Sequence, residues 1–279
     1  MIKTFFLTLC ALLVTLALVG CGKNDVLENK VFSVNDLGNK RVGVIKGTTA
    51  EAYASNFGGD SAKMQLQSFS TLSEMVEALE QGSLDAALSD DVPAKVVASK
   101  DPSIQILDES FMDESYAGVV AKENLGLLDS VNLALIQLRA MGVYDSIFAS
   151  YVGGNKKYRV KQESVKGPVL KVATCAKFPP FVFYDDKKQM MGIDVEIIRY
   201  VAKHLERPVE IIDMDFENII GAVRDGKVDL GFSALSVSEE RRQIINFTDY
   251  YATSRIIVVV RSGQEKSFFS RIKEMLFGY

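Results

Sequence analysis

The chain has little histidine, little cysteine and no surplus of positive charge. Its one histidine, His204, has neither a second imidazole nor a Cys-x-x-Cys pair beside it, so nothing supports a metal site. Ser-His-Asp chemistry would rest on that same residue, which flanks the apolar stripe Ile197, Ile198, Val201 and Leu205 and reads as structural. Of the three cysteines, Cys10 lies in a leader-like run and Cys21 ends it, leaving Cys175 alone. One thiol forms no intrachain disulfide, and with no partner base in view it reads as a small buried side chain at a strand end. A formal net charge of −4, from 32 basic and 36 acidic residues, offers no basic stripe for counterion release and excludes nucleic acid as a partner.

Long apolar runs are missing too, with one exception. Phe5–Val19 is uncharged, follows Lys3 and ends at Gly20-Cys21, which is the layout of an export signal. It is shorter than the ~20 residues a spanning helix needs. Leu18-Val19-Gly20-Cys21 resembles the lipobox of bacterial lipoproteins; that resemblance makes 1–20 a signal peptide and Cys21 the lipidated first residue of an exported protein anchored at the cell membrane. An uncleaved anchor helix is the alternative. The polar stretch 21–35 then reads as a tether.

What is present is an internal echo. EALEQGSLDAALSDD (77–91) and GAVRDGKVDLGFSA (221–234) each give a helix end, a turning glycine and a short apolar strand. In register, Ala78 meets Ala222, Leu79 meets Val223, Gly82 meets Gly226, Leu84 meets Val228 and Asp85 meets Asp229. Helix–Gly–strand joints are common, so the surroundings must carry the case. RVGVIKG (41–47), KMQLQSF (63–69) and LDAALSD (84–90) predict strands, with helices at 49–57, at 71–82 behind the capping box Thr71-x-x-Glu74, and at 91–100. After an extended run at 115–124, a long helix or helix pair is expected from Asp129 to Tyr151, with Val131, Leu133, Leu135, Ile136, Leu138 and Met141 apolar. A Gly- and Lys-rich linker (153–167) precedes a second alternation: strands at 169–174, 208–213, 227–233 and 254–262, helices at 193–207 and 216–224. Alternating strands and helices predict two parallel α/β layers covered on both faces.

Several residues stand where chemistry is expected. Gly47-Thr48-Thr49 joins a strand to a helix and offers N–H and hydroxyl donors to a carboxylate-sized anion, or is an ordinary N-cap. Ser236-Val-Ser238-Glu-Glu-Arg241 follows a strand; Ser236 and Glu239 read as a capping box, and Arg241 is placed to pair bidentately with a carboxylate, or with Glu239, Glu240 or Asp249 at the surface. Asp90 ends a strand at the edge where open α/β sheets bind ligands, and would take an ammonium or cap the next helix. Phe178 and Phe216 fall in loops after the first two strands of the second layer; Tyr184 and Tyr250 are ambiguous.

DLGNKRVGVIKGTTAE (36–51), residues 77–91 and VNLALIQLRAMGVYDSIFASY (131–151) resemble the second half of the polar amino-acid-binding proteins of ABC importers, the bacterial extracellular solute-binding proteins of family 3. VLKVATCAKFPPFVF (169–183) and DFENIIGAVRDGKVDLGFSALSVSEERRQIINFTDYY (215–251) resemble their first half, so the halves stand in reversed order. The resemblance implies a type 2 periplasmic-binding-protein fold, α/β, with two Rossmann-like lobes, a hinge and an interlobe cleft, circularly permuted. The implied division is leader 1–20, tether 21–35, lobe A 36–118, return strand and closing helices of lobe B 119–153, permutation linker 154–167, lobe B 168–262 and an amphipathic segment 263–279.

Carried over by position, Arg241 would clamp the ligand α-carboxylate with Ser236, Ser238, Thr48 and Thr49, Asp90 would take the α-ammonium, and Phe178 and Phe216 would sandwich the side chain. Cys175 stands where relatives with cationic ligands have an acid, which favours a neutral polar or apolar amino acid. The expected partners are a free amino acid, an ABC permease and, through Cys21, the membrane; no cofactor and no catalysis are expected. The same fold also serves as the ectodomain of signalling proteins and in enzymes resembling cyclohexadienyl dehydratase.

Overall fold

The computed structural model describes residues 29–59, 62–152, 158–161 and 165–262. The expected signal peptide, Cys21 and the amphipathic segment 263–279 lie outside the described residues, as does much of the expected linker. Residues 29–35, expected as tether, are built into lobe A: Val31 is fully buried in its core and a 3-10 turn runs from Val34 to Leu37. Two buried apolar side chains, Val31 and Leu37, hold this stretch to the domain.

Lobe A consists of β1 (Arg41–Ile45), α1 (Thr49–Ser55), β2 (Gln65–Phe69), α2 (Leu72–Glu80), β3 (Ala86–Asp90) and α3 (Asp91–Ala98). The long strand β4 (Ile104–Val120) leaves it and is followed by α4 (Leu125–Ala140) and α5 (Val143–Tyr151). Lobe B contains β5 (Leu170–Thr174), the short strands β6 (Lys177–Phe178), β7 (Val182–Tyr184) and β8 (Met190–Met191), α6 (Ile193–His204) and β9 (Val209–Asp213). A 3-10 turn at Phe216–Asn218 leads into α7 (Ile219–Arg224), then β10 (Leu230–Gly231), α8 (Glu239–Arg242) and the second long strand, β11 (Asn246–Arg261).

The main sheet has the order β2-β1-β3-β11-β4-β10-β5-β9. β1 pairs in parallel with β2 and β3, and β5 in parallel with β9 and β10, so each lobe arranges its first three strands in the order second, first, third. Between them lie β4 and β11, antiparallel to one another along most of their length. In lobe A, β11 is the strand beside β3; in lobe B, β4 is the strand beside β10. Both long strands thus belong to both lobes.

The internal echo has a shared cause. Gly82 and Gly226 take φ of +74° and +68° past the ends of α2 and α7, a left-handed conformation that glycine adopts without a Cβ penalty. Three residues on, Asp85 accepts from Arg41 N (3.1 Å) and donates its own N–H to Arg41 O (2.8 Å), while Asp229 does the same with Lys171 (2.9 Å each way). Each aspartate therefore pins the third strand of its lobe to the start of the first. Arg41 and Arg207 close these corners as ion pairs with Asp85 (2.7 Å) and Asp229 (3.3 Å).

The helix expected from Asp129 is a pair, divided at Gly142 with φ +67°. Val131, Leu135 and Leu138 are buried, whereas Leu133, Ile136 and Met141 are exposed, so the expected apolar face covers only part of the surface named for it. β10 is two residues long where a strand over 227–233 was expected, because β4 and β5 flank it only at Leu230 and Gly231. β4 and β11 extend well beyond the expected 115–124 and 254–262, since the two pair with each other across both lobes.

Candidate functional site

A cavity of about 50 Å³ lies where the C-terminal ends of the parallel strands of both lobes meet. Thr48, Thr49 and Asp90 line it from lobe A; Cys175, Phe178, Phe216 and Ser236 line it from lobe B. Apolar surface from Ile45, Leu88 and Ile256 completes the wall.

Arg241 stands at the seam rather than in the wall. Its Nη1 donates to Ser236 O (2.6 Å) in lobe B and its Nη2 to Gly47 O (2.9 Å) in lobe A, and the guanidinium sits 5.8 Å from the Phe216 ring centroid. Burial pulls the guanidinium below its ordinary value, against the fields of Glu114 and Glu240. The sequence left open an exposed pairing with Glu239, Glu240 or Asp249; the Glu239 carboxylate instead lies 3.4 Å from Arg242.

Ser236 was read as the cap of this helix, and the structure corrects that. Ser238 is the N-cap, accepting from Arg241 N (3.2 Å), and is not part of the cavity wall. The Ser236 hydroxyl instead faces the cavity, where it donates to Glu114. Thr48 caps α1 by accepting from Glu51 N (3.3 Å), and Gly47 N donates to the Glu51 carboxylate (2.7 Å). The expected anion site at Gly47 is therefore filled by the protein's own Glu51.

Asp90 precedes α3 but makes no side-chain cap hydrogen bond. Its carboxylate turns inward and accepts from the Tyr116 hydroxyl and from Ser254 Oγ (3.2 Å). Desolvation, and then the field of Glu114, push its pKa up to about 7. Phe178 stacks on Phe181 with centroids 5.7 Å apart. Cys175 is buried, its thiol pushed up by desolvation away from the reactive thiolate, and its N–H donates to Ser233 Oγ (3.0 Å).

Sequence reasoning missed Glu114. It lies on β4, buried in the cavity wall, and accepts from the Thr49 hydroxyl of lobe A and from Ser236 Oγ of lobe B (2.7 Å). The signal that would have found it is parity: Glu114 stands two residues before the buried Tyr116 on an extended run. Asp194 was also missed. It accepts from Ala234 N (2.7 Å) and lies against the Tyr251 hydroxyl, fixing the loop that carries Ser233 and Ser236; Ala234 itself has φ +47°. His204 ends α6 far from these residues and takes no part in the cavity. Among the described residues no group of His, Cys, Asp and Glu is arranged to hold a metal ion, and no helix is long and apolar enough to cross a membrane.

Two lobes, each with strand order second-first-third, two shared long strands and a cavity at the strand ends define a type 2 periplasmic-binding-protein fold. Residues 170–275 match the model of the bacterial extracellular solute-binding proteins, family 3. The chain is 28% identical over 126 residues to a probable histidine-binding protein of Neisseria gonorrhoeae, a match covering 45% of this chain and 47% of that protein. It is 33% identical over 90 residues to the arginine-binding extracellular protein ArtP of Bacillus subtilis, covering 32% and 35%. The chain thus spans between about a third and a half of the length of these curated relatives. A solved ancestral arginine-binding protein bound to arginine is 38% identical over 27% of this chain and 34% of its own, with a TM-score of 0.27.

Proposed function

We propose that the chain is a membrane-tethered extracytoplasmic receptor that closes its lobes around a free amino acid and presents it to an ABC permease. The observation that carries this reading is the seam: Arg241 reaches from Ser236 O to Gly47 O across the cavity mouth while Asp90 lines the wall. A zwitterion between them would have its carboxylate beside the guanidinium and its ammonium beside the aspartate. Each buried charge then has a partner, without which burial costs several kcal/mol. Because the cavity draws on both lobes, ligand favours the closed over the open arrangement. Circular permutation is part of the proposal, supported by the family match starting at residue 170, the first strand of lobe B, while residues 41–98 supply the three parallel strands of the other lobe.

Titration calorimetry on ligand-stripped protein tests the clamp. Arg241→Ala is expected to weaken amino-acid binding by two decades or more, since removing one partner of a buried pair costs about 3–5 kcal/mol; unchanged affinity refutes it. A second reading has one observation in its favour: an aspartate near pKa 7 in a closed cavity is poised for general acid–base work of the dehydratase kind. Recovery of the bound compound chemically unchanged after prolonged incubation separates receptor from enzyme.

A further inference from the structure

Glu114 stands where the shared strands pass from one lobe to the other. Opposite it on β11 is Ser254, two residues before Ile256, which pairs with Asp90 of β3 in lobe A. On the other side, Val237 N donates to Ser115 O (2.9 Å) and Ala117 N to Leu235 O (3.0 Å), both joining β4 to lobe B. A side chain at this crossing moves little when the lobes turn about it, and its carboxylate reaches both: it accepts from Ser236 Oγ of lobe B (2.7 Å) and from the Thr49 hydroxyl of lobe A. All three side chains are buried.

The two contacts are not equivalent. Ser236 bridges to Tyr116 and has backbone bonds to β4 on either side of it, so its contact with Glu114 travels with lobe B. Thr49 is the first residue of α1, whose Ala50 and Ala54 pack into the lobe A core, so parting the lobes breaks the contact between Thr49 and Glu114. A buried hydroxyl on a carboxylate is among the stronger hydrogen bonds. The Lys46–Glu217 pair, which also crosses the seam, is exposed and of the weak class. We propose that Glu114 is a tie built into the hinge: through Thr49 it holds the lobes together on the chain's own account, and the cleft opens only when Thr49 is released. This goes beyond the receptor reading and stands whatever the cleft binds. It also has a consequence for that reading. A hydroxyl has one proton to give, and those of Thr49 and Ser236 are given to Glu114, so a ligand carboxylate obtains them only by displacing it.

Cys175 supplies the reporter, a free thiol in the cavity wall that is buried while the lobes are together. In the full chain freed of bound small molecules, alkylation by iodoacetamide is followed at the Cys175 peptide by mass spectrometry; its rate is proportional to the open fraction. Glu114→Gln and the near-isosteric Thr49→Val are each expected to react roughly tenfold faster or more than the unsubstituted protein, and Lys46→Ala about twofold faster at most. Amide hydrogen exchange within β5, the strand just before Cys175, is expected to stay unchanged in all of them, because parting the lobes leaves lobe B folded. A thiol that reacts as fast in the unsubstituted protein as in the variants, or no acceleration in Thr49→Val, overturns the tie. So does acceleration accompanied by faster exchange in β5, which would mean fraying around the thiol, or equal acceleration in Lys46→Ala, which would assign closure to the surface pair. If Glu114→Gln fails to fold, Thr49→Val, which keeps shape and charge, decides. A thermal-shift screen of the unsubstituted protein with the twenty amino acids tests the receptor reading separately: a response there beside a freely reacting thiol leaves the receptor standing and removes the tie.

Discussion

Asp194 and Asp90 are carboxyl groups held well above their ordinary range, each to about 7, and in both cases desolvation is the largest cause. A native pKa above the unfolded one means the folded chain binds the extra proton between the two values. Stability from such a group is fully present below about pH 4 and is lost as pH rises through about 7. Asp85 works the other way: hydrogen bonding to Arg41 holds it down to about 2, and its contribution disappears as pH falls toward that value. At ~1.4 kcal/mol per tenfold change in proton affinity, Asp194 is worth several kcal/mol over its window. In Asp194→Asn the fall in Tm between pH 4 and 8 is expected to be shallower than in the unsubstituted protein by several degrees, as read by calorimetry. Asp90→Asn is expected to weaken amino acids more than their deaminated analogues; equal losses would show that Asp90 does not hold the ammonium. Arg241 was legible from its place in SVSEER and Asp90 from its place at a strand end. Glu114 was not, because DESFMDES is acidic throughout and only parity with the apolar stretch that follows tells this buried carboxylate from its exposed neighbours Glu109 and Asp113.

At the scale of elements, the turn between β1 and α1 is where the lobes touch. Gly47 has φ +77°, and a Cβ there would lie 3.0 Å from Glu217 Cβ of lobe B. Lys46 reaches the same Glu217 carboxylate at 2.9 Å, in an exposed pair of small energetic value. Gly47→Ala strains the turn and, on the proposed reading, obstructs closure as well. A loss in ligand affinity of roughly tenfold is expected by calorimetry, with a Tm change in the free protein of no more than a few degrees, from a backbone cost on the order of 1 kcal/mol. Unchanged affinity would show that the lobes do not meet there when ligand binds. Elements built from local rules were legible in advance: the strand–Gly–Thr–helix turn, the glycines after α2 and α7, and the strand and helix alternation of both lobes. The long strands were legible only where they are apolar. Ile256–Val260 and Tyr116–Val120 are buried, whereas Glu109, Ser110, Asp249 and Tyr250 are exposed; the pairing of β4 with β11 is a long-range fact without a local signature.

For the whole molecule, the two shared strands couple the lobes mechanically as well as sterically. Each lobe takes one long strand beside its third parallel strand and the other beyond it, so neither sheet survives loss of its partner's crossing strand. Differential scanning calorimetry is expected to show one unfolding transition for both lobes, moved upward by ligand, about 2.7 kcal/mol at a concentration one hundred times Kd. Two resolved transitions would mean the lobes melt independently. The order of the strands also sets a schedule for synthesis. In lobe A, β3 and the first half of β4 are neighbours only through residues 255–261 of β11, and do not pair with one another. A chain emerging from its N-terminus has made three strands of that sheet by residue 90 and a fourth soon after, yet must wait for more than half its remaining length before the strand that joins them arrives. During that interval the edge of β3 carries unmet backbone groups and the apolar run Ala86-Ala87-Leu88, which makes the first-made lobe the last one finished and the one most dependent on protection while the chain is being made.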